Sequence, residues 1–115
     1  MNIALVEGTL LETPSRLVLS EGREVVTGTI IVLNGDRRES VPFSWFDGPS
    51  RLERLDGGCA VFAMGRVTRR FFRSGGRTES RTDLVVSFLD RSGRRRRIAS
   101  GLAPILTTLA ERIDT

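Results

Sequence analysis

Glycine stands inside three runs that otherwise read as β-strands: Gly8 in residues 3–11, Gly28 in 24–33 and Gly65 in 59–71. A glycine weakens a strand because it adds no side chain to pack, and it marks places where the strand bulges, bends or meets another backbone closely. A small closed sheet needs such places. The run at 24–33, Glu-Val-Val-Thr-Gly-Thr-Ile-Ile-Val-Leu, is rich in β-branched residues. Asn34-Gly35 follows as a strong hairpin signal, and residues 38–46 return as a third strand in which Pro42 indicates an edge or a bulge. Pro14 ends the first strand, residues 16–19 extend it briefly, and Glu21-Gly22 reads as a turn.

Asp47-Gly-Pro-Ser breaks the third strand, and Ser50 is the expected cap of a short helix over 50–55 that Asp56-Gly57-Gly58 stops. In the fourth strand, 59–71, Val61, Ala63, Gly65 and Val67 alternate with Phe62, Met64 and Arg66; residues 81–89 form the fifth. Residues 91–98 read as a charged linker. Beyond it Leu102, Ile105, Leu106, Leu109 and Ile113 share one helical face, with Ser100 as cap and Pro104 in the first turn. The order predicts an all-β fold: a five-stranded Greek-key barrel of the oligonucleotide-binding (OB-fold) type, with a short helix between strands three and four and a C-terminal amphipathic helix. A five-stranded sandwich is the alternative. Residues 1–92 would form the binding domain, and 93–115 a basic linker with the helix.

The residue inventory argues against catalysis. Histidine, lysine and tyrosine are absent, which removes the usual general bases and Schiff-base nucleophiles. One cysteine, Cys59, allows neither an internal disulfide nor a His/Cys zinc site, and no carboxylate cluster suggests a two-metal nuclease. No cofactor or metal is expected, and the protein is not expected to be an enzyme. No apolar run approaches the roughly 20 residues that span a membrane, and the N-terminus lacks the pattern of a secretory signal. A cytoplasmic, nucleoid-associated location is the expectation.

All 18 cationic side chains are arginine, and the net charge is +4. A G+C-rich genome yields the same bias, yet every cation is then a planar fork suited to phosphate and to stacking on aromatic faces. They concentrate in two places, Arg66–Arg81 and Arg91 with Arg94–Arg97. In the first, Phe71 and Phe72 stand among Arg66, Arg69, Arg70, Arg73, Arg77 and Arg81, with Gly75-Gly76 as the turn of a hairpin. Phosphates for the guanidinium groups and base faces for the rings are what an unpaired nucleic acid offers. Adjacent strand residues point to opposite faces, so one phenylalanine should fill the core and the other stack. Phe62 and Phe88 are expected in the core, and Cys59 as a small buried hydrophobe. Trp45, two positions after Phe43 on one strand face, is open to either a core or a stacking role.

Several of these segments together resemble the bacterial single-stranded-DNA-binding protein family. Met1-Asn-Ile-Ala-Leu-Val-Glu-Gly-Thr-Leu-Leu-Glu-Thr-Pro is similar to its opening strand. Ser44-Trp45-Phe46, residues 52–55 and Gly57-Gly58 resemble its aromatic-ended strand, short helix and turn. Gly65-Arg-Val-Thr-Arg-Arg-Phe-Phe and Arg81-Thr-Asp-Leu-Val-Val resemble its last two strands, so the likeness covers residues 1 to about 90. It implies an oligomeric barrel, tetramer or dimer, that binds single-stranded DNA with little sequence preference in replication, recombination or repair. It also implies that Trp45 and Phe72 are base-stacking aromatics, with Phe71 turned inward, and that residues 73–81 form the long hairpin loop. Typical members carry an acidic, phenylalanine-tipped tail that recruits replication or repair proteins. This chain ends Glu111-Arg-Ile-Asp-Thr, so recruitment through such a tail is not expected. The loop at 34–37 is short and lacks the family's aromatics, which implies a shorter or weaker site. A short chain of this kind also resembles the dimeric primosomal replication proteins. The alternatives are an adaptor acting mainly through protein contacts and an RNA-binding barrel.

Overall fold

The computed structural model describes residues 1–113, apart from the side chain of Phe72. Six strands follow in order: β1 (Ala4–Leu10), β2 (Ser15–Val18), β3 (Glu24–Asn34), β4 (Arg37–Phe46), β5 (Ala60–Ser74) and β6 (Arg77–Arg91). A 3₁₀ turn, Ser50–Arg54, joins β4 to β5, and one helix, α1 (Arg95–Ile113), ends the described chain. The sheet order is β1-β5-β6-β4-β3-β2, and an extra β1–β3 pairing closes five of the strands into a ring. All neighbours are antiparallel except β4 and β6, which run parallel at Phe43↔Leu84 and Ser44↔Val85. The segment expected to prolong the first strand is a separate strand, β2, paired outside the ring on β3.

Each of the three strand glycines makes room for a group of a neighbouring strand, and Gly8 does so where the ring closes. β1 pairs with β5 from Ala4 to Thr9, then passes to β3 at Thr9↔Ile31 and Leu10↔Ile30. At that handover a Cβ on Gly8 would lie 2.2 Å from the Ile31 carbonyl oxygen. The β5–β6 ladder slips by one residue between Met64 and Gly65. A Cβ on Gly65 would lie 2.2 Å from the Val85 carbonyl oxygen. Gly28 sits opposite Phe43, whose ring occupies the space a side chain would take.

Inside the ring, Leu10, Val26, Ile30, Phe43, Val61, Ala63, Leu84, Val86 and Leu89 form one apolar cluster, which Leu52 and Leu55 of the connecting segment join. Leu52 is fully buried, so the 3₁₀ turn fastens onto the core through it. Pro49 occupies the position before that turn and no side chain caps it; Ser50 is its first residue rather than its cap. Arg16 ties β2 to this region. Its guanidinium donates to Glu53 at 2.6 Å, Glu24 at 3.0 Å and the Gly48 carbonyl at 3.0 Å. The hydrogen bond to Glu53, with the charges of both carboxylates, raises the arginine's pKa further.

In the C-terminal half β5 and β6 stay paired to Ser74↔Arg77, so the hairpin turns at Gly75 (φ 59°) and Gly76 (φ 79°) as expected, but residues 73–81 belong to a two-stranded arm and not to the long loop the resemblance implied. The segment at 91–98 is no free linker, because α1 already begins at Arg95. Arginine is a good helix former, and Arg97 reaches back to Asp90 at 3.1 Å. Ser100 and Pro104 consequently lie inside the helix, where the proline lacks the N–H that would bond the Ser100 carbonyl. Phe62 and Phe88 are half-buried outside the core cluster, Phe88 beneath Gly101 of α1. Cys59 is half-buried at the core's edge, and burial raises its thiol pKa. No helix among the described residues is long and apolar enough to cross a membrane.

Candidate nucleic-acid interface

Where β2, β3 and β4 meet the base of the β5–β6 arm, the surface opens into a cleft of about 630 Å³. Thr27, Gly28 and Thr29 of β3 contribute to its lining with Phe43 and Ser44 of β4. Arg70, Phe71, Arg81 and Asp83 come from the arm. At Gly28 the Phe43 ring fills the space a side chain would take, so the ring forms part of the cleft floor while staying almost fully buried in the core.

Phe71 is the prominent group at this site. It is 69% exposed, the Arg69 guanidinium lies 5.9 Å from its ring centroid, and Arg70 precedes it in the cleft wall. Phe71 is thus not turned inward, contrary to what the resemblance implied; strand alternation by itself requires only that one of the two phenylalanines enter the core. Past Thr68 and its partner Asp83 the arm leaves the ring of strands, so alternation no longer separates a core face from a solvent face. The expected stacking role of Phe72 falls on a side chain outside the described residues; its backbone pairs with Glu79.

Beneath the arm sits a buried polar contact. Ser44 Oγ donates to Asp83 Oδ2 at 2.9 Å, and both residues are more than nine-tenths buried. Arg70 approaches the same carboxylate oxygen at 3.6 Å and also lies 5.9 Å from the Phe46 ring, which carries Arg23 at 4.9 Å. Asp83 thereby fixes the root of the arm against β4 and orients Arg70. Arg70 and Arg81 are direct cross-strand partners. Two like charges so placed repel, and Asp83 meets only one of them by an ion pair among the described residues.

The other expected site residues are dispersed. Arg73 and Arg77 are exposed near the arm's tip, and Arg69 donates to Ser80 Oγ at 2.9 Å. Arg66 borders a groove on the far side with Ile3, Met64 and Ile105. Trp45 does not line the cleft. It packs against the core, close to Gly48, with the Arg51 guanidinium 5.9 Å from its ring. Phe43, Gly28, Ser44 and Asp83 join the site without any sequence signal to select them, since they meet only through the β3–β4 and β4–β6 pairings.

The cleft's charge is balanced. Arg70 and Arg81 are matched by Glu12 and Asp83 in its lining, so its capacity lies in accessible aromatic surface flanked by guanidinium donors rather than in net charge. A flat apolar group could lie against Phe71 while an attached anion meets Arg70 or Arg81. No protein-family model matches this chain, and no curated protein matches its sequence.

Proposed function

We propose that the protein is a non-catalytic, OB-type barrel that binds single-stranded DNA with little sequence preference, in replication, recombination or repair. The closed five-strand ring with its parallel β4–β6 pair supports the barrel reading. The observation that carries the binding reading is Phe71, exposed at a cleft wall and surrounded by Arg69, Arg70 and Arg81. Bases stack on Phe71 and the arginines of the arm hold the backbone. The binding partner is thus a single strand, and neither a cofactor nor a membrane takes part.

One stacked base contributes roughly 1–3 kcal/mol, about a 5- to 150-fold change in affinity. Phe71→Ala is therefore expected to weaken binding of a labelled oligothymidine by that factor at low salt, read by fluorescence anisotropy. Equal affinity of the variant and the parent chain, or no complex with either, refutes the reading. Competition with a matched RNA strand distinguishes deoxyribose from ribose preference, since stacking and phosphate contacts alone do not. A homo-oligomer is part of the proposal, because α1 buries none of its residues within one chain.

A further inference from the structure

A second cleft, of about 250 Å³, lies between the end of β6, the 3₁₀ turn and the first turn of α1. Arg51, Arg54, Arg91, Arg94 and Arg97 line it, and Asp90 is the one carboxylate among them. Five positive charges against one negative leave +4 in this cleft, equal to the net charge of the whole chain. The first cleft, by contrast, is balanced. Asp90 is almost fully buried and already committed: Arg97 Nη1 donates to its Oδ2 at 3.1 Å and the Arg91 backbone N–H to its Oδ1 at 2.8 Å. Arg54, Arg91 and Arg94 have no ion-pair partner among the described residues.

Two further observations point to an anion as the ligand. Arg51 Nη1 is shielded from solvent and makes no hydrogen bond, although Asp90 Oδ1 lies 3.5 Å away. Asp90 is thus shared between Arg51 and Arg97 and offsets only one of their two charges, which leaves the cleft short of negative charge. The first turn of α1 also carries no acidic residue and begins Arg-Arg-Arg, opposite to what a helix start favours. The free N–H groups of that turn and the arginines add to one positive region.

We propose that this cleft is a phosphate-binding site, taking linked phosphate groups between Arg51, Arg54, Arg91 and Arg94. The chemistry is shared by two sources: a nucleic-acid backbone continuing from the first cleft, or free polyphosphate. At about 3.3 Å per strand residue, Asp90 stands about 23 Å along β6 from Asp83, within reach of one extended strand. The site itself does not depend on Phe71 or on the first cleft.

The test uses the full chain and sodium tripolyphosphate at low salt, followed by titration calorimetry. The paired substitution Arg54→Ala with Arg94→Ala removes two exposed side chains that hold no ion-pair partner among the described residues, and circular dichroism with thermal melting checks the fold. Tripolyphosphate is expected to bind the parent chain and the Phe71→Ala variant alike, and to bind the paired variant at least about 10-fold more weakly, as the removal of charge-assisted hydrogen bonds requires. Asp90→Asn, which removes the internal counter-charge, is expected to tighten it. No binding by the parent chain, or equal binding by the paired variant, overturns the site. Oligothymidines then separate the sources. If the backbone is the ligand, a long oligonucleotide binds the paired variant more weakly while one short enough for the first cleft does not, and the log–log salt slope falls by roughly 0.7 for each phosphate no longer held. If free polyphosphate is the ligand, both lengths bind the paired variant unchanged.

Discussion

A methyl group on Gly28 would lie 2.7 Å from two carbons of the Phe43 ring, and that ring is part of the core. Gly28→Ala must displace it, and overpacking of this kind costs typically about 1–3 kcal/mol. On Gly65 the obstacle is the Val85 carbonyl oxygen at 2.2 Å, a backbone atom that cannot rotate away. Gly65→Ala is therefore expected to lower the urea midpoint more than Gly28→Ala does, and the reverse order would show that the bulge yields more easily than the ring. Cys59 gives a residue-scale expectation in pH. Burial favours its neutral thiol, with Asp56 acting in the same direction and Arg91 against. Its contribution to stability is thus present below the unfolded-state pKa and diminishes as pH rises through the higher folded value. Iodoacetamide should accordingly label the folded chain at a higher pH than the urea-unfolded chain. The glycines' importance was legible in the sequence because only geometry justifies a glycine in a strand. Which atoms they make room for was not, because each obstacle comes from a different strand.

At the scale of elements, the strand runs, the Asn34-Gly35 hairpin and the short turn before the fourth long strand could all be read along the chain. Their apolar alternation is produced by the ring's inner and outer faces. The alternation fails as a guide where no core lies beneath. Beyond Thr68 and Asp83 the described side chains of the arm are all exposed, which is why the inward placement of Phe71 did not hold. It fails also at the arginine run, whose charge suggested a linker although arginine's helix propensity and the Asp90 contact extend α1 back to Arg95. The 3₁₀ turn has neither a side-chain cap nor length to hold it, so Leu52 supplies its attachment. Leu52→Ala is expected to destabilise the protein by about 2–5 kcal/mol, as for other fully buried leucines. Urea denaturation measures it, and a decrease below about 1 kcal/mol, outside that range, would mean that the turn is held by Arg16 and its carboxylates instead.

On the scale of the whole molecule, apolar surface is distributed unevenly. The ring hides its core, while α1 keeps Leu106, Leu109 and Ile113 exposed and touches the sheet chiefly through the Gly101–Phe88 contact and the groove at Ile105. Leu5 of β1 and Val67 of β5 are exposed as well. Scattered exposed leucines are ordinary on a protein surface, but three apolar residues on one helical face mark a surface suited to a partner. A second copy of the chain is the simplest occupant, since an isologous contact covers the same face twice. Neither proposed binding cleft includes these three residues, so breaking such an interface need not alter either cleft directly. Leu106→Glu combined with Leu109→Glu is therefore expected to reduce the solution mass, measured by light scattering on a sizing column, to that of a single 12.7 kDa chain. The thermal transition of the ring should persist, because α1 contributes no buried residue to it. If the parent chain is itself monomeric across the concentrations tested, the exposed helical face has no self-association role. If mass falls and oligonucleotide affinity falls with it, the strand contacts more than one copy.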